Sequence, residues 1–362
     1  MRRNPEEFHD GAQDGLMPLE PLDINRVVDF DDMLAAYSRT AFGGRALGEA
    51  AEVLTAMVQD PECTCVGTFS GAMTVAKMGL LICEMIDRGW LQIIISTGAL
   101  MAHGLIEAVG QVHYKYEPNR SDEELYRMGY NRVYDTLEME RNLDYAEAIF
   151  KEVLANLDPR QTYSSATLCR ELGRYLAEQT DQPGILRNAY LKGVPVFVPA
   201  FTDSELGLDL ANWMMERSLQ SGLTLPEAFT HLTLNFNPFL DLGLYAQQVF
   251  AAKKLGIFTI GGGVPRNWAQ QVGPFFDILQ NRLGMQLPFV RFQYGVRICP
   301  EPVHWGGLSG CTYREGISWG KFVPESEGGR FAEVYADATI AWPILVKGVA
   351  QRLAKQAKQP GT

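Results

Sequence analysis

The sequence is poor in cysteine for its length. Six cysteines, at 63, 65, 83, 169, 299 and 311, are spread over 362 residues. That excludes the dense disulfide framework of a small secreted domain. The Cys63/Cys65 pair has no second Cys/His cluster, and His9, His103, His113, His231 and His304 show no zinc-ligand spacing. The expectation is that no metal is bound. Positive charge is also scarce. With 32 Lys+Arg against 43 Asp+Glu, the formal net charge is -11. No basic tract exists to neutralise phosphates, which argues against nucleic acid as a partner. An acidic protein is compatible with a cationic substrate, although acidity alone is common among enzymes. No run of about 18 apolar residues is present to span a bilayer. The opening MRRNPEEFHDG lacks the apolar segment of a secretory leader. The chain is expected to be soluble and cytoplasmic, with no membrane partner.

What the sequence does have is alternation. Residues 1–30 read as a polar N-terminal arm, and residues 31–362 as one large domain without a linker or repeat. CTCVGTF (63–69), LQIIIS (91–96), VPVFVPA (194–200), LTLNF (232–236), GIFTI (256–260), FVRFQYGVRI (289–298) and AEVYADA (332–338) read as strands. Helices are expected over Gly71 to Arg88, from Gly98 through Val109, over most of 120–180, and from Ile340 to Lys358. Strands alternating with helices predict an α/β, Rossmann-like fold, a mostly parallel sheet with helices on both faces.

In such sheets ligands bind where strands end. Ser70 and Gly71 follow the first strand, Thr97-Gly98 the second, and Thr202-Asp203-Ser204-Glu205 the third. GIFTI runs into Gly261-Gly262-Gly263 and then Val264-Pro265, which opens a helix. Glycines at a strand–helix turn let the backbone approach a phosphate at a helix N-terminus. The same run also serves as a tight turn with no ligand. It is not G-x-G-x-x-G, so an ordinary dinucleotide dehydrogenase is not supported. Asp203 and Asp337 suit ribose hydroxyls or, equally, helix N-caps. Lys321, in SWGKF, is either a snorkelling surface lysine or a desolvated amine that is neutral enough to act as a nucleophile. If SWGKF is extended, Trp319 and Lys321 point to one side. His103 and His304 suit a proton shuttle or a structural hydrogen bond, and the structural reading is preferred.

Taken together, VPVFVPAFTDSELG, GIFTIGGGVP, ISWGKF and EVYADATIAWPILV occur in an order that resembles deoxyhypusine synthase and the related homospermidine synthases. The resemblance runs from about residue 40 almost to the end. It implies an NAD-dependent transferase, typically a homotetramer built as a dimer of dimers. Such an enzyme moves an aminobutyl group from a polyamine to an amine acceptor, either a protein lysine or a small amine. By resemblance, Lys321 is the lysine that carries the imine, and Trp319, Glu315 and Asn267 belong to the substrate pocket. Ser70, Thr97, Asp203, Gly262, Gly263, Ser309 and Asp337 resemble the NAD contacts. The chemistry agrees with this. An amine carbon that has lost a hydride becomes an iminium able to exchange amines, so NAD is needed without net redox change.

The sequence also departs from the family pattern. Ala102 and His103 stand where the family has two glutamates, Asn267 and Trp268 where it has two histidines, and Trp305 and Leu308 where it has aspartates. The run TDSELGLDL offers Asp209 in place of a carboxylate at Leu208. A homospermidine-synthase-like enzyme with a small-molecule acceptor, or a repurposed NAD-binding protein without transfer activity, therefore stands beside the leading reading. A third is a plain NAD oxidoreductase that oxidises an amine with net NADH release.

Overall fold

The computed structural model describes residues 3–358. Nine strands occur among them: β1 (Cys63–Phe69), β2 (Ile93–Ser96), β3 (Tyr114–Lys115), β4 (Tyr130–Val133), β5 (Thr136–Met139), β6 (Val196–Phe197), β7 (Lys254–Ile260), β8 (Phe292–Ile298) and β9 (Arg330–Val334). Six of them form one sheet in the order β6-β2-β1-β7-β8-β9, and every pairing in it is parallel. The expected Rossmann-like α/β architecture is what the chain adopts.

A parallel sheet has to be covered on both faces, and the strand sequences show why this one is. Ile94 of β2 faces one apolar cluster, while Ile93 and Ile95 on either side of it face another. The first cluster adds Leu54, Ile82, Leu105 and Leu345 from helices Phe42–Gln59, Gly79–Asp87, Gly98–Ala108 and Ala338–Ala357. The second adds Tyr245, Ala269 and Phe276 from helices Pro238–Ala251, Gly263–Gln270 and Val272–Leu283. Among the described residues no helix is long and apolar enough to cross a membrane.

Four local expectations are corrected. The helix expected from Gly71 begins only at Gly79, because Gly71 (φ 77°) and Lys77 (φ 65°) take left-handed conformations that break it. The segment around residues 120–140 is not continuous helix. Helix Asp122–Arg127 ends at Gly129 (φ 71°), and β4 and β5 then form a hairpin that joins β3 in a small antiparallel sheet. LTLNF is not a strand. It contributes a single bridge, Phe236 to Tyr163, before Asn237 caps the helix that starts at Pro238. VPVFVPA shrinks to the two residues of β6, since Pro195 and Pro199 remove the donors a longer strand needs.

Candidate active site

Along the chain, β1, β2 and β6 are laid down in one direction and β7, β8 and β9 in the other. The direction reverses between β1 and β7, and a crevice forms beyond their carboxyl ends. Ser70 follows β1 and the glycine run follows β7. The Ser70 hydroxyl donates to the carbonyl of Ile260 at 3.2 Å and accepts the Gly262 N–H at 2.9 Å. Gly261 and Gly263 have φ of 75° and 61°, where a side chain is strained. Gly262 is needed for a different reason. A Cβ there would stand 2.6 Å from the Cα of Ser309. The three glycines thus let the 3₁₀ turn Leu308–Gly310 close over the start of helix Gly263–Gln270.

The next strand ends lie beside this turn. The N–H of Thr97 donates to the carbonyl of Phe69, and the Thr97 hydroxyl is buried with no partner. Asp203 is exposed in the turn after β6 and does not cap the following helix; Ser204 does. Asp337 takes the other of its two expected roles. It follows β9, at the far edge of the sheet, and caps helix Ala338–Ala357 by accepting from the N–H and hydroxyl of Thr339. So Ser70, Gly262, Gly263 and Ser309 come directly together, Thr97 and Asp203 sit on neighbouring strand ends, and Asp337 follows β9, two strands from β7. A glycine cradle without room for a Cβ, a helix N-terminus and an orphaned buried hydroxyl suit the phosphates and hydroxyls of a dinucleotide.

Lys321 is buried, with 7% of its surface exposed. The extended geometry expected for SWGKF is not what places it. Helix Tyr313–Ser318 ends at Trp319, which is 65% exposed, and Gly320 (φ 66°) turns the chain before Lys321. The strand alternation that would align Trp319 with Lys321 therefore does not apply. Lys321 is pinned by its own backbone, with its N–H on the carbonyl of Gly316 and its carbonyl accepting from Phe292. Its Nζ reaches the side-chain oxygen of Asn267 at 3.1 Å. Burial is the main reason its pKa falls below that of an ordinary lysine; Arg266 adds to the fall, and Cys311 and Glu315 oppose it. Burial likewise pushes the Cys311 thiol up.

Two buried arginines, which the sequence reading did not single out, frame this amine. Arg266 donates to the carbonyl of Cys311 at 2.7 Å and lies over the Tyr313 ring, while its Nε and second terminal nitrogen are buried without partners. Arg297 donates to the same carbonyl at 2.9 Å and pairs with Glu333 at 3.3 Å. They hold the chain at residues 309–311 between the glycine turn and Lys321. The position of Arg266 in the first turn after the glycines was the available signal.

The positions that depart from the family pattern have separate fates. Leu208 is 65% exposed, whereas Asp209 packs inward. Burial, then Glu147 and Glu205, push the Asp209 carboxyl up to about 7. Trp305 and Leu308 are exposed, and His304 stacks edge-on to Trp305 without a hydrogen bond. Trp268 stacks on Tyr245 in the core. His103 is buried and bonded to Glu138 at 3.2 Å, in line with the structural role preferred for it. A cavity of about 600 Å³ lies against β6 and is lined by residues such as Arg170, Tyr190 and Gln248. None of the residues named around Lys321 or Gly262 contributes to it, so we place the chemistry at the crevice.

Comparison with known proteins shows the family and the fold. The family model described as "Deoxyhypusine synthase" matches residues 32–349. The chain is 32% identical to the "Probable deoxyhypusine synthase 2" of Methanosarcina acetivorans, over 92% of this chain and 90% of that protein. It is 30% identical to the "Deoxyhypusine synthase-like protein" of Elusimicrobium minutum, over 90% of this chain and 82% of that protein. A solved structure from Entamoeba histolytica, provisionally named a deoxyhypusine synthase, shares the fold. Its TM-score is 0.56 at 13% identity, covering 91% of this chain and 96% of that one.

Proposed function

The chain belongs to the deoxyhypusine synthase family, and from that premise we propose that it is an NAD-dependent transferase moving an aminoalkyl group from a cationic amine to a second amine through an imine on Lys321. The observation that carries the reading is the buried Lys321 amine, held on Asn267 with its pKa lowered by desolvation. Asn267 lies in the helix that begins at the glycine turn, so the lysine and the proposed cofactor crevice share one element.

Ser70, Gly262, Gly263 and Ser309 would hold NAD, with Thr97 and Asp203 beside them. When bound, it would supply a hydride acceptor for the amine-bearing carbon and return the hydride at the end. The remaining work belongs to the chain. Lys321, deprotonated, adds to the iminium carbon of the donor and releases the donor's amine, leaving the carbon fragment as a lysine imine. The acceptor amine then displaces Lys321, which leaves as a free amine. Asn267 orients the Nζ. Glu315, which acts on both Cys311 and Lys321, is placed to hold a substrate ammonium or take a proton. Arg266 disfavours a charged Lys321. A polyamine or related cationic amine is the proposed donor, a homotetramer the proposed assembly and the cytoplasm the proposed compartment. The exposed indoles of Trp305 and Trp319 offer apolar surface for a second copy.

The test is borohydride trapping with NAD and a donor amine, followed by peptide mapping. An adduct on the peptide containing Lys321, absent in Lys321→Arg, is expected, because a guanidinium stays protonated and forms no imine. Full transfer by Lys321→Arg would overturn the reading. Steady NADH release without an acceptor would instead mark an NAD-dependent amine oxidoreductase.

A further inference from the structure

A second polar centre lies outside the crevice. His103 on helix Gly98–Ala108, His113 just before β3 and Glu138 on β5 are distant in the chain. Yet one side-chain donor atom from each lies within 4.8 Å of the others. Glu138 is 1% exposed and the His113 ring is fully buried. The Oε1 of Glu138 is already occupied. It accepts from the Asn142 side-chain amide at 2.7 Å and from the Met139 N–H at 3.1 Å. Its Oε2 faces both imidazoles, with His103 Nδ1 at 3.2 Å and His113 Nε2 at 2.5 Å.

The two contacts differ in kind. His103 meets the carboxylate in hydrogen-bonding geometry. His113 Nε2 does not: it touches Oε2 but lies outside hydrogen-bonding geometry, and no other atom partners it. The side-chain oxygen of Asn142 is likewise buried and unpartnered. Two unsatisfied polar atoms beside a dry carboxylate are costly unless something else satisfies them.

We propose that His103, His113 and Glu138 form a binding site for a divalent transition metal, zinc being the best match. Two imidazoles and one carboxylate are a zinc donor set, with a fourth position left for water or another ligand. Donors about 2.0–2.2 Å from a tetrahedral zinc stand roughly 3.3–3.5 Å apart. The His103–Glu138 separation of 3.2 Å falls just short of this, and the His113–Glu138 contact has to open by about 1 Å. Asn142 acts as the outer partner that orients the ligating carboxylate. The ion ties helix Gly98–Ala108, whose first turn lies at the end of β2, to the small antiparallel sheet. This revises the metal-free expectation, which rested on spacing along the chain.

One group opposes the metal. Lys77 Nζ lies 2.6 Å from His113 Nδ1 and 2.7 Å from Glu107. An ammonium only donates, so Nδ1 accepts and the ring proton of the neutral imidazole sits on Nε2, the atom facing Glu138. Metal binding needs that proton moved to Nδ1, with Lys77 withdrawing to Glu107. The proton of His103 shifts from Nδ1 to Nε2 in the same way, so both rings stay neutral. Lys77 is about half exposed, so it is free to withdraw, but its charge still repels the incoming cation. The other carboxylate group, Asp29, Asp31 and Asp32, is already neutralised by Lys355 and Arg352 and serves as a control.

The experiment uses the full chain, stripped with a chelator and titrated with zinc chloride at pH 7.5 against a chromophoric chelator, without NAD or amine. One zinc per chain is expected by elemental analysis after desalting. Glu138→Gln and His113→Gln should each weaken binding by about 100-fold or more, and Lys77→Gln should tighten it roughly tenfold. Asp31→Asn should leave it unchanged. Cobalt(II) in the wild-type chain should give the visible spectrum of a tetrahedral nitrogen–oxygen site, which decides the matter even if a variant fails to fold. Less than a tenth of an equivalent of zinc together with no cobalt spectrum would overturn the proposal. So would stoichiometric binding that survives both ligand substitutions.

Discussion

Lys321 and Asn267 meet at 3.1 Å, although one follows helix Tyr313–Ser318 and the other lies in the helix after the glycine turn. The amide oxygen of Asn267 accepts from the Lys321 amine, and such a bond favours the charged form. Burial works the other way. Asn267→Leu therefore lowers the Lys321 pKa further while loosening its aim. The expected outcome is a transfer rate reduced about tenfold or more, with the acidic limb of its pH profile moved to lower pH. A lower rate with an unmoved acidic limb would show that Asn267 does not bear on the titration of Lys321.

Gly262 gives a sharper steric prediction. A methyl group there meets the backbone of Ser309 at 2.6 Å, and backbone cannot move aside as a flexible side chain does. Gly262→Ala should lower stability by ~1–3 kcal/mol and abolish the rise in melting temperature that NAD gives the wild type. Gly284→Ala is the control. It carries a left-handed strain (φ 66°) that Gly262 does not, but has nothing within 4 Å. It should lose stability by ~1 kcal/mol and keep the response to NAD. An unchanged NAD response in Gly262→Ala would move the cofactor away from this turn.

Much of this was legible because buried parallel strands read as apolar runs. CTCVGTF and GIFTI were recognisable as β1 and the body of β7, and the glycines after β7 marked the crevice between them. What was not legible depended on backbone conformation or on distant partners. Lys77 and Tyr134 adopt left-handed φ values that their residue types do not announce. Trp319 was misjudged because a helix, not a strand, leads into Lys321. Arg266 was signalled only by its place in the first turn after the glycines, whereas Glu138 matters through residues far away in sequence, so local spacing could not disclose it. LTLNF has the composition of a strand, but Asn237-Pro238 claims its end for a helix.

Donor choice follows from the carboxylates. Positions 305 and 308 carry an exposed Trp and an exposed Leu, and neither brings a carboxylate to form an ion pair with an ammonium. Glu315 is the acidic side chain on the loop and helix that lead into Lys321 to which the structure assigns an effect on that amine. A triamine such as spermidine would thus leave at least one ammonium poorly compensated. Of spermidine, putrescine and agmatine, spermidine is expected to have the lower kcat/KM, by about tenfold or more. Steady-state rates with mass spectrometry of the products decide this, and spermidine emerging as much the best donor would defeat the argument.

Asp209 should make the protein's stability depend on pH. Its carboxyl is held near 7, first by burial and then by repulsion from Glu147 and Glu205, with Lys151 opposing. An unfolded aspartate titrates at about 3.9. Below roughly pH 4 the group is protonated in both states and contributes nothing to the difference. Between about pH 4 and 7 the unfolded chain gives up its proton while the folded chain keeps it. Stability therefore falls as pH rises through that window and levels off above it. The loss is on the order of 2 kcal/mol once screening of this partly exposed group is allowed for. Asp209→Asn, neutral at every pH, should match the wild type near pH 4 and exceed it by that amount at pH 8. Urea denaturation at the two pH values checks this. Equal stabilities at pH 8 would mean that the Asp209 carboxyl is not raised in the folded chain, Lys151 compensating it as a salt-bridge partner would.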